Sequence, residues 1–238
     1  MKVAVIQMNT GDDMEKNVER ALFLVERAEA ELIVLPEVFS HITRYDDGSV
    51  LPRIQGKAAE KGCWIAGSLL LDKHNTAFLI NPGGVVDTLY RKIHLFDVPG
   101  LGSESSYMKA GQDIVTTEIN GFRVGFGICY DVRFPELFRA QEVDLFLLPS
   151  AFSAKTGKDH WEVLVRARAV ENLAYIIAPN QEGDHPNGTK TWGNSMIVDP
   201  WGTVLAQASH VGVIEAEISR EAIDEFRRSL PALKHRKL

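Results

Sequence analysis

Cys129 lies where a buried strand gives way to charged residues, a setting that suits a nucleophilic thiol. It ends the apolar run 124–128 and is followed by Tyr130 and Asp131. A thiol at a strand-to-helix turn can project from the edge of a sheet, and backbone N–H groups of the turn can point at a developing oxyanion. Nearby cations and a helix N-terminus are expected to lower its pKa below the usual value of about 8.5. An inert buried cysteine is the alternative, and the local sequence leaves both open.

A carboxylate and an ammonium group are candidates to assist such a thiol. Glu37 follows the apolar run 32–35 and Pro36, and catalytic groups of open α/β sheets gather at the carboxyl ends of strands. A partly desolvated carboxylate there has a raised pKa and can act as a general base. Lys92 follows Arg91, and the two should point to opposite faces of a strand, so that one can face a cleft and stabilise an oxyanion. Taken alone, each charge is more typical of a solvent-exposed position.

Other residues capable of chemistry lack the spacing that their chemistry needs. His94, His160 and His185 lie far apart without the His-x-x-x-His spacing of a zinc site. No phosphate-binding loop and no Gly-x-Ser-x-Gly motif occurs in the sequence. Apolar residues follow Cys63, which is expected to be an inert core residue. The sequence therefore predicts no metal and no organic cofactor.

The composition indicates one globular domain and argues against nucleic acid as a partner. The chain has 238 residues, of which 45% are hydrophobic and 24% charged, and a formal net charge of -6. The basic run 234–237 is expected to be a solvated end. Two cysteines are too few for a secreted disulfide scaffold, and no apolar run approaches the length of a membrane span. We therefore expect a single domain over residues 1–238, in the cytoplasm and without a membrane partner.

The elements that must position these side chains alternate between short apolar runs and amphipathic stretches. Strands are predicted over 3–8, 32–35, 64–71, 77–80, 122–129, 143–148, 175–179, 194–198 and 211–218. Helices are predicted over 14–30, 50–61, 134–141 and 160–172, with a last helix capped by Ser219. Residues 96–112 form the longest irregular stretch, and such a loop is usually functional or mobile. The alternation favours an α/β fold of mixed sheets covered by helices.

The three chemically promising segments, in this order, resemble the carbon–nitrogen hydrolase (nitrilase) superfamily. The resemblance rests on the residue runs 36–37, 91–95 and 127–136, and further matches occur at 149–152, 160–162, 166–169 and 199–202. It implies a four-layer αββα sandwich of two mixed β-sheets. It also implies a homodimer or a higher homo-oligomer, and chemistry without a cofactor.

The resemblance also implies a role for each residue of the catalytic centre. Glu37 would be the general base, Cys129 the nucleophile, and Lys92 the group that stabilises the tetrahedral intermediate. The backbone N–H of Tyr130 would complete the oxyanion hole. Glu104, in the loop after the lysine, would orient either that lysine or the attacking water.

Within the superfamily, the motifs look most like those of deaminated-glutathione amidases and omega-amidases. In that branch the residues corresponding to Arg133, Phe152 and Thr156 contact the substrate. An arginine suits a carboxylate because its fork binds both oxygens. An ion pair of Arg133 with Glu136 or Asp131 is the alternative, and Phe152 is also compatible with a place in the core.

The expected activity is therefore that of an amidase with a small-molecule substrate. It would hydrolyse a small carboxylate-bearing amide to acid and ammonia through a cysteine thioester. Deaminated glutathione and an omega-amide of a 2-oxo acid are the expected substrates. An N-carbamoyl amino-acid hydrolase, or another aliphatic amidase or nitrilase of the same fold, is one alternative. A catalytically silent binding module is an alternative of another class.

Overall fold

Sixteen strands and five helices are present in the computed structural model, which describes residues 1–237; position 238, the end of the predicted domain, lies outside them. In chain order the strands are β1 (Lys2–Gln7), β2 (Leu32–Val34), β3 (Trp64–Leu71), β4 (His74–Ile80), β5 (Val86–Arg91), β6 (Asp97–Val98), β7 (Gly102–Ser103), β8 (Thr116–Ile119), β9 (Phe122–Phe126), β10 (Leu145–Leu147), β11 (Tyr175–Ala178), β12 (Glu182–Asp184), β13 (Lys190–Trp192), β14 (Met196–Val198), β15 (Val204–Gln207) and β16 (Gly212–Glu217). The helices are α1 (Met14–Arg27), α2 (Val50–Lys61), α3 (Pro135–Gln141), α4 (Ala154–Asn172) and α5 (Arg220–Ser229).

Twelve of the strands form two six-stranded mixed sheets. The first has the order β16-β1-β2-β3-β4-β5, and the second has the order β15-β14-β11-β10-β9-β8. Each sheet has parallel pairs at its centre, formed by β1, β2 and β3 in the first and by β9, β10 and β11 in the second. Antiparallel strands flank these pairs on both sides.

Side-chain alternation along the central strands places the two sheets between layers of helices. In β1, Val3 and Val5 belong to the cluster that includes the second sheet, while Ala4 and Ile6 pack with residues of α1 and α2. Helices α3 and α4 pack against each other, and α4 lies against strands of the second sheet. The result is the predicted four-layer αββα sandwich, in which the central strands are buried on both faces.

Most predicted elements are present, and the differences occur at their ends. Helix α2 has the predicted limits, whereas α1 ends at Arg27 and α4 begins at Ala154, six residues before the predicted start. The Ser153 side chain accepts a hydrogen bond from Lys155 N and so caps α4 at that earlier point. The predicted strand 122–129 ends at Phe126, because the chain turns into a single 3-10 turn that begins at Cys129.

The sequence did not predict β8 and β15, at the two edges of the second sheet, or the short strands of two regions without a strong apolar pattern. Strands β6 and β7 pair inside the 96–112 loop, and β12 and β13 form a second small hairpin. This second hairpin, residues 182–192, is joined to the segment before α4 by a bridge between Thr191 and Ser153 and by a hydrogen bond from Trp192 N to Phe152 O of 2.9 Å. In both hairpins the strands are defined by backbone pairing and not by an alternation of buried and exposed side chains.

The three residues predicted to act together each follow the C-terminal end of a strand. Glu37 follows β2, Lys92 follows β5 directly, and Cys129 follows β9. Strands β2, β3 and β5 run in the same direction, because β4 is antiparallel to both β3 and β5. Among residues 1–237, no helix has both the length and the apolar character needed to cross a bilayer.

Candidate active site

One cavity of about 190 Å³ is lined by all eight of the predicted site residues. These are Glu37, Lys92, Glu104, Cys129, Tyr130, Arg133, Phe152 and Thr156. The acid, the amine and the sulfur that the sequence predicts to act together therefore share one pocket. They come from segments after β2, β5 and β9, and the 96–112 loop adds Glu104.

The Glu37 carboxylate is buried and held on both of its oxygens. Its Oε1 accepts hydrogen bonds from Asn75 Nδ2 at 2.7 Å and from Lys92 Nζ at 3.1 Å. Its Oε2 accepts one from the backbone N–H of Ala151 at 2.7 Å. The backbone carbonyl of Glu37 also accepts a bond from Gln181 Nε2 at 3.0 Å. These contacts fix the carboxylate beside the thiol.

The Lys92 ammonium bridges two carboxylates inside the protein. Its Nζ lies 3.1 Å from Glu37 Oε1 and 2.9 Å from each carboxylate oxygen of Glu104, and the lysine side chain is 1% exposed. Glu104 is itself oriented by the backbone N–H of Phe96, which donates to Oε2 at 2.8 Å. The 96–112 loop, for which the sequence predicts a functional role, therefore closes around the ammonium.

Cys129 begins the 3-10 turn with its backbone in the left-handed region, at φ 46°. Its N–H donates to the carbonyl of Pro149 at 3.0 Å. A non-glycine residue at positive φ is strained and is kept there only by its surroundings. The conformation carries the thiol to the cavity wall and begins a turn whose first N–H groups, including that of Tyr130, have no carbonyl of the same turn to bond.

The pKa shifts of the three groups follow from burial and mutual charge. Burial raises the pKa of Glu37, and the Lys92 ammonium counteracts this only in part. Burial and the neighbouring Glu37 carboxylate also raise the pKa of the Cys129 thiol well above its usual value. The predicted lowering of that pKa is therefore wrong. Burial lowers the pKa of Lys92, but Glu104 and Glu37 together outweigh it, so the pKa lies above its usual value and the ammonium is charged.

Arg133 is a cation of the cavity that is held by His160 and Thr156. Its guanidinium lies 3.2 Å from His160 Nδ1 and donates to Thr156 Oγ1 at 3.3 Å. It stacks over the rings of Phe152 and Tyr130, at 5.0 Å and 5.8 Å from their centroids. Within residues 1–237 no carboxylate forms an ion pair with it, so the alternative of a partner in Glu136 or Asp131 does not hold.

Phe152 combines the two environments that the sequence left open. Its side chain is 3% exposed and packs against the buried Trp161, with ring centroids 5.2 Å apart. The same residue lines the cavity beneath Arg133. It is therefore both a core residue and a cavity wall.

Several residues that contact the site were not predicted as site residues, among them Asn75, His160 and Ala151. Asn75 is the second residue of β4, and an isolated amide gives no signal by itself. His160 belongs to the run 160–162 that supports the resemblance, but its contact with Arg133 was not predicted. Ala151 contributes through its backbone N–H, which no side-chain pattern reveals. Among the residues described, no group of three His, Cys, Asp or Glu side chains is arranged to hold a metal ion.

In both sequence and structure, the chain is similar to the same known proteins. The family described as carbon-nitrogen hydrolase matches residues 2–228. The chain is 38% identical to the nitrilase and fragile histidine triad fusion protein NitFhit of Caenorhabditis elegans, over 99% of this chain and 60% of that protein, so it spans less than two thirds of the fusion. It is 37% identical to the deaminated glutathione amidase of Synechocystis sp., over 98% of this chain and 97% of that protein. The crystal structure of the C. elegans NitFhit protein matches with a TM-score of 0.93 and 36% identity, over 99% of this chain and 65% of that chain.

Proposed function

The chain belongs to the carbon-nitrogen hydrolase family and is an amidase, and on that premise we propose that Cys129, Glu37 and Lys92 carry its chemistry. The proposal is supported by a buried thiol next to a buried carboxylate whose pKa is raised. A neutral thiol needs a base at the moment of attack, and Glu37 lies within reach of it. Lys92 is a buried charged donor, and such a group stabilises an oxyanion strongly.

The proposed reaction has two half-reactions. The Cys129 sulfur attacks the amide carbon while its proton moves to Glu37, and Lys92 and the Tyr130 N–H stabilise the oxyanion. The C–N bond then breaks as Glu37 returns the proton to the leaving nitrogen, which gives a free amine and a thioester. Water attacks the thioester carbon and gives a proton to Glu37. The C–S bond breaks, the acid leaves, and the proton returns to the sulfur.

Glu104 is proposed to act through Lys92. Its carboxylate is 2.9 Å from the ammonium and is tied to the backbone of the same loop. It keeps the ammonium charged and directed at the cavity. Of the two roles that the resemblance implies, orientation of the lysine is the one that these contacts support.

The proposed substrate is an amide whose acyl part carries a carboxylate at the end away from the scissile bond. The observation that carries this proposal is Arg133, which lines the cavity without an ion-pair partner among residues 1–237. A buried or half-buried arginine fork without a carboxylate is well suited to bind one from a ligand. Deaminated glutathione and 2-oxoglutaramate both have such an acyl part, and the Synechocystis relative carries the first of them in its name.

The two substrates differ in the amine that they release. An omega-amide releases ammonia, whereas deaminated glutathione releases cysteinylglycine, so the expected ammonia product applies to the omega-amide alone. Both release 2-oxoglutarate, and a glutamate dehydrogenase assay in the presence of added ammonium would measure that common product. A higher kcat/KM for deaminated glutathione would identify it as the preferred substrate.

A separate assay of released ammonia and carbon dioxide distinguishes the remaining alternatives, because an N-carbamoyl amino acid releases no 2-oxoglutarate. An N-carbamoyl amino acid would release carbon dioxide together with ammonia, and turnover confined to such compounds would replace the proposed substrate. A silent binding module would turn over none of them and would bind without forming a thioester. The cytoplasmic location and the homodimer stay predictions, and light scattering of the purified protein would test the second.

A further inference from the structure

Asp131 is a fully buried carboxylate that no step of the proposed reaction uses. Its Oδ2 accepts hydrogen bonds from Tyr90 Oη at 2.8 Å and from the backbone N–H of Ile128 at 2.9 Å. Its Oδ1 accepts bonds from the backbone N–H of His94 at 3.0 Å and lies 2.7 Å from His94 Nδ1. The carboxylate is 0% exposed. Four partners around a dry carboxylate are far more than an incidental contact requires.

The partners of Asp131 lie on both sides of the lysine. Tyr90 comes two residues before Lys92 in β5, and His94 comes two residues after it. The backbone of Lys92 is itself bonded to Asn75 O through its N–H, at 2.9 Å. Asp131 therefore bonds the chain on both sides of Lys92, at Tyr90 and at His94.

The same carboxylate also holds the turn that carries the nucleophile. Ile128 directly precedes Cys129, and its N–H bond to Asp131 closes the turn in which Cys129 takes its left-handed φ of 46°. A left-handed non-glycine residue costs about 1–3 kcal/mol and persists only where the surroundings impose it. Asp131 is the side chain that closes this turn, while the bond from Cys129 N to Pro149 O holds it from the other side.

We propose that Asp131 is a positioning residue that fixes the spacing between the Cys129 sulfur and the Lys92 ammonium by bonding both of their segments at once. This proposal rests on the proposed function, because the sulfur and the ammonium must act on one carbonyl group. A shift of about 1 Å between a nucleophile and an oxyanion donor can cost about 100-fold in rate. The carboxylate touches neither group and so exerts its effect through the backbone.

An asparagine at position 131 cannot reproduce the four bonds. Ile128 and His94 each present a backbone N–H, one to each carboxylate oxygen. An amide has one oxygen and one NH2 group, so whichever way it turns, one backbone N–H faces another donor. Either the turn that carries Cys129 or the segment next to Lys92 must then move.

The test compares Asp131→Asn with Asp144→Asn in the full chain. Asp144 is also buried and also accepts a backbone N–H, that of Arg123 at 3.0 Å, and it pairs with Arg220 and Arg227, but it does not line the cavity. Both variants should lower the melting temperature. Asp131→Asn should also lower kcat by about 100-fold with KM for 2-oxoglutaramate within about threefold of wild type. Asp144→Asn should keep the wild-type kcat below its melting transition.

A kcat of Asp131→Asn that stays within about threefold of wild type in the folded range would overturn the proposal. If Asp131→Asn does not fold, the double variant Tyr90→Phe/His94→Ala decides. It keeps the carboxylate and both backbone N–H bonds but removes both side-chain donors on the Lys92 segment. A fall in kcat of about tenfold supports the proposal, and an unchanged kcat contradicts it.

A labelling experiment separates this proposal from the proposed function. The rate at which iodoacetamide modifies Cys129, measured by mass spectrometry against buried Cys63 in the same chain, reports the geometry of the thiol without requiring turnover. If wild-type protein hydrolyses no amide, the proposed function fails. Positioning by Asp131 would still be supported if Asp131→Asn changes the labelling rate of Cys129 and Asp144→Asn does not. The labelling rate of Cys63 should be the same in both variants. Equal rates in both variants would refute it.

Discussion

Replacing Arg133 with alanine should weaken the use of carboxylate-bearing amides and leave neutral amides nearly unaffected. The partners of the guanidinium are His160 and Thr156 and include no carboxylate, so its charge is available to a ligand carboxylate. A hydrogen bond to a charged group contributes about 1.5–3 kcal/mol. Because the site is partly open, we take about 2 kcal/mol, which corresponds to about 30-fold in KM. Arg133→Lys keeps the charge but loses the fork, and about fivefold is expected.

The assay compares kcat and KM for 2-oxoglutaramate and for propionamide in the same preparations. Arg166→Ala is the matched control, since Arg166 lies half-exposed on α4, the helix that carries Thr156 and His160, and pairs with Glu162 outside the cavity. Arg166→Ala should change neither kcat nor KM for either amide. Equal losses for both amides in Arg133→Ala would show that the guanidinium supports the wall of the pocket and does not bind the carboxylate.

Three further predictions concern the chemistry and the framework of the site. Cys129→Ala should abolish turnover while the circular dichroism spectrum and a cooperative melt are retained; residual turnover at the wild-type rate would rule out the nucleophile. Since burial raises the pKa of Glu37 above its ordinary value of 4.5 and only the ionised carboxylate accepts a proton, kcat/KM should fall with decreasing pH at a midpoint above 4.5, and Glu37→Gln should remove that limb. In Gly157→Ala the new Cβ would lie 2.3 Å from Trp192 Cβ, so we expect a loss of about 1–3 kcal/mol in the free energy of unfolding, measured by urea denaturation.

The fold could be predicted from the sequence wherever side chains alternate or recur with a clear period. The strand β3 and helix α2 have the predicted limits because apolar residues and a glycine C-cap at Gly62 define them. The start of α4 was missed because its first turn is polar and its capping residue, Ser153, follows a phenylalanine that belongs to the cavity. The hairpin 182–192 was missed because its strands pair through the backbone and bury few side chains.

The sequence could predict which chemically reactive side chains meet in the cavity but not what holds them there. Glu37, Lys92 and Cys129 stand at strand ends, where their chemical types are unusual and the resemblance to a family adds a role. Asn75 and Asp131 hold those groups by hydrogen bonds, and an amide in a strand or an acid in a turn is common in any sequence. The property that makes them important is burial among specific partners, which exists only once distant segments have met.

The charges in the cavity favour the proposed mechanism, in which a base takes the thiol proton, over one that starts from a preformed thiolate. Glu37 and Glu104 bring two negative charges to the single ammonium of Lys92, so the surroundings of the sulfur are net negative. Burial and Glu37 both raise the pKa of the Cys129 thiol, and Lys92 only partly counteracts them. A cysteine activated by a cation would show a thiolate titration at neutral pH. Here the thiol should keep its proton until attack, so the rate should depend on the ionisation of Glu37, and the lysine is left available for the oxyanion.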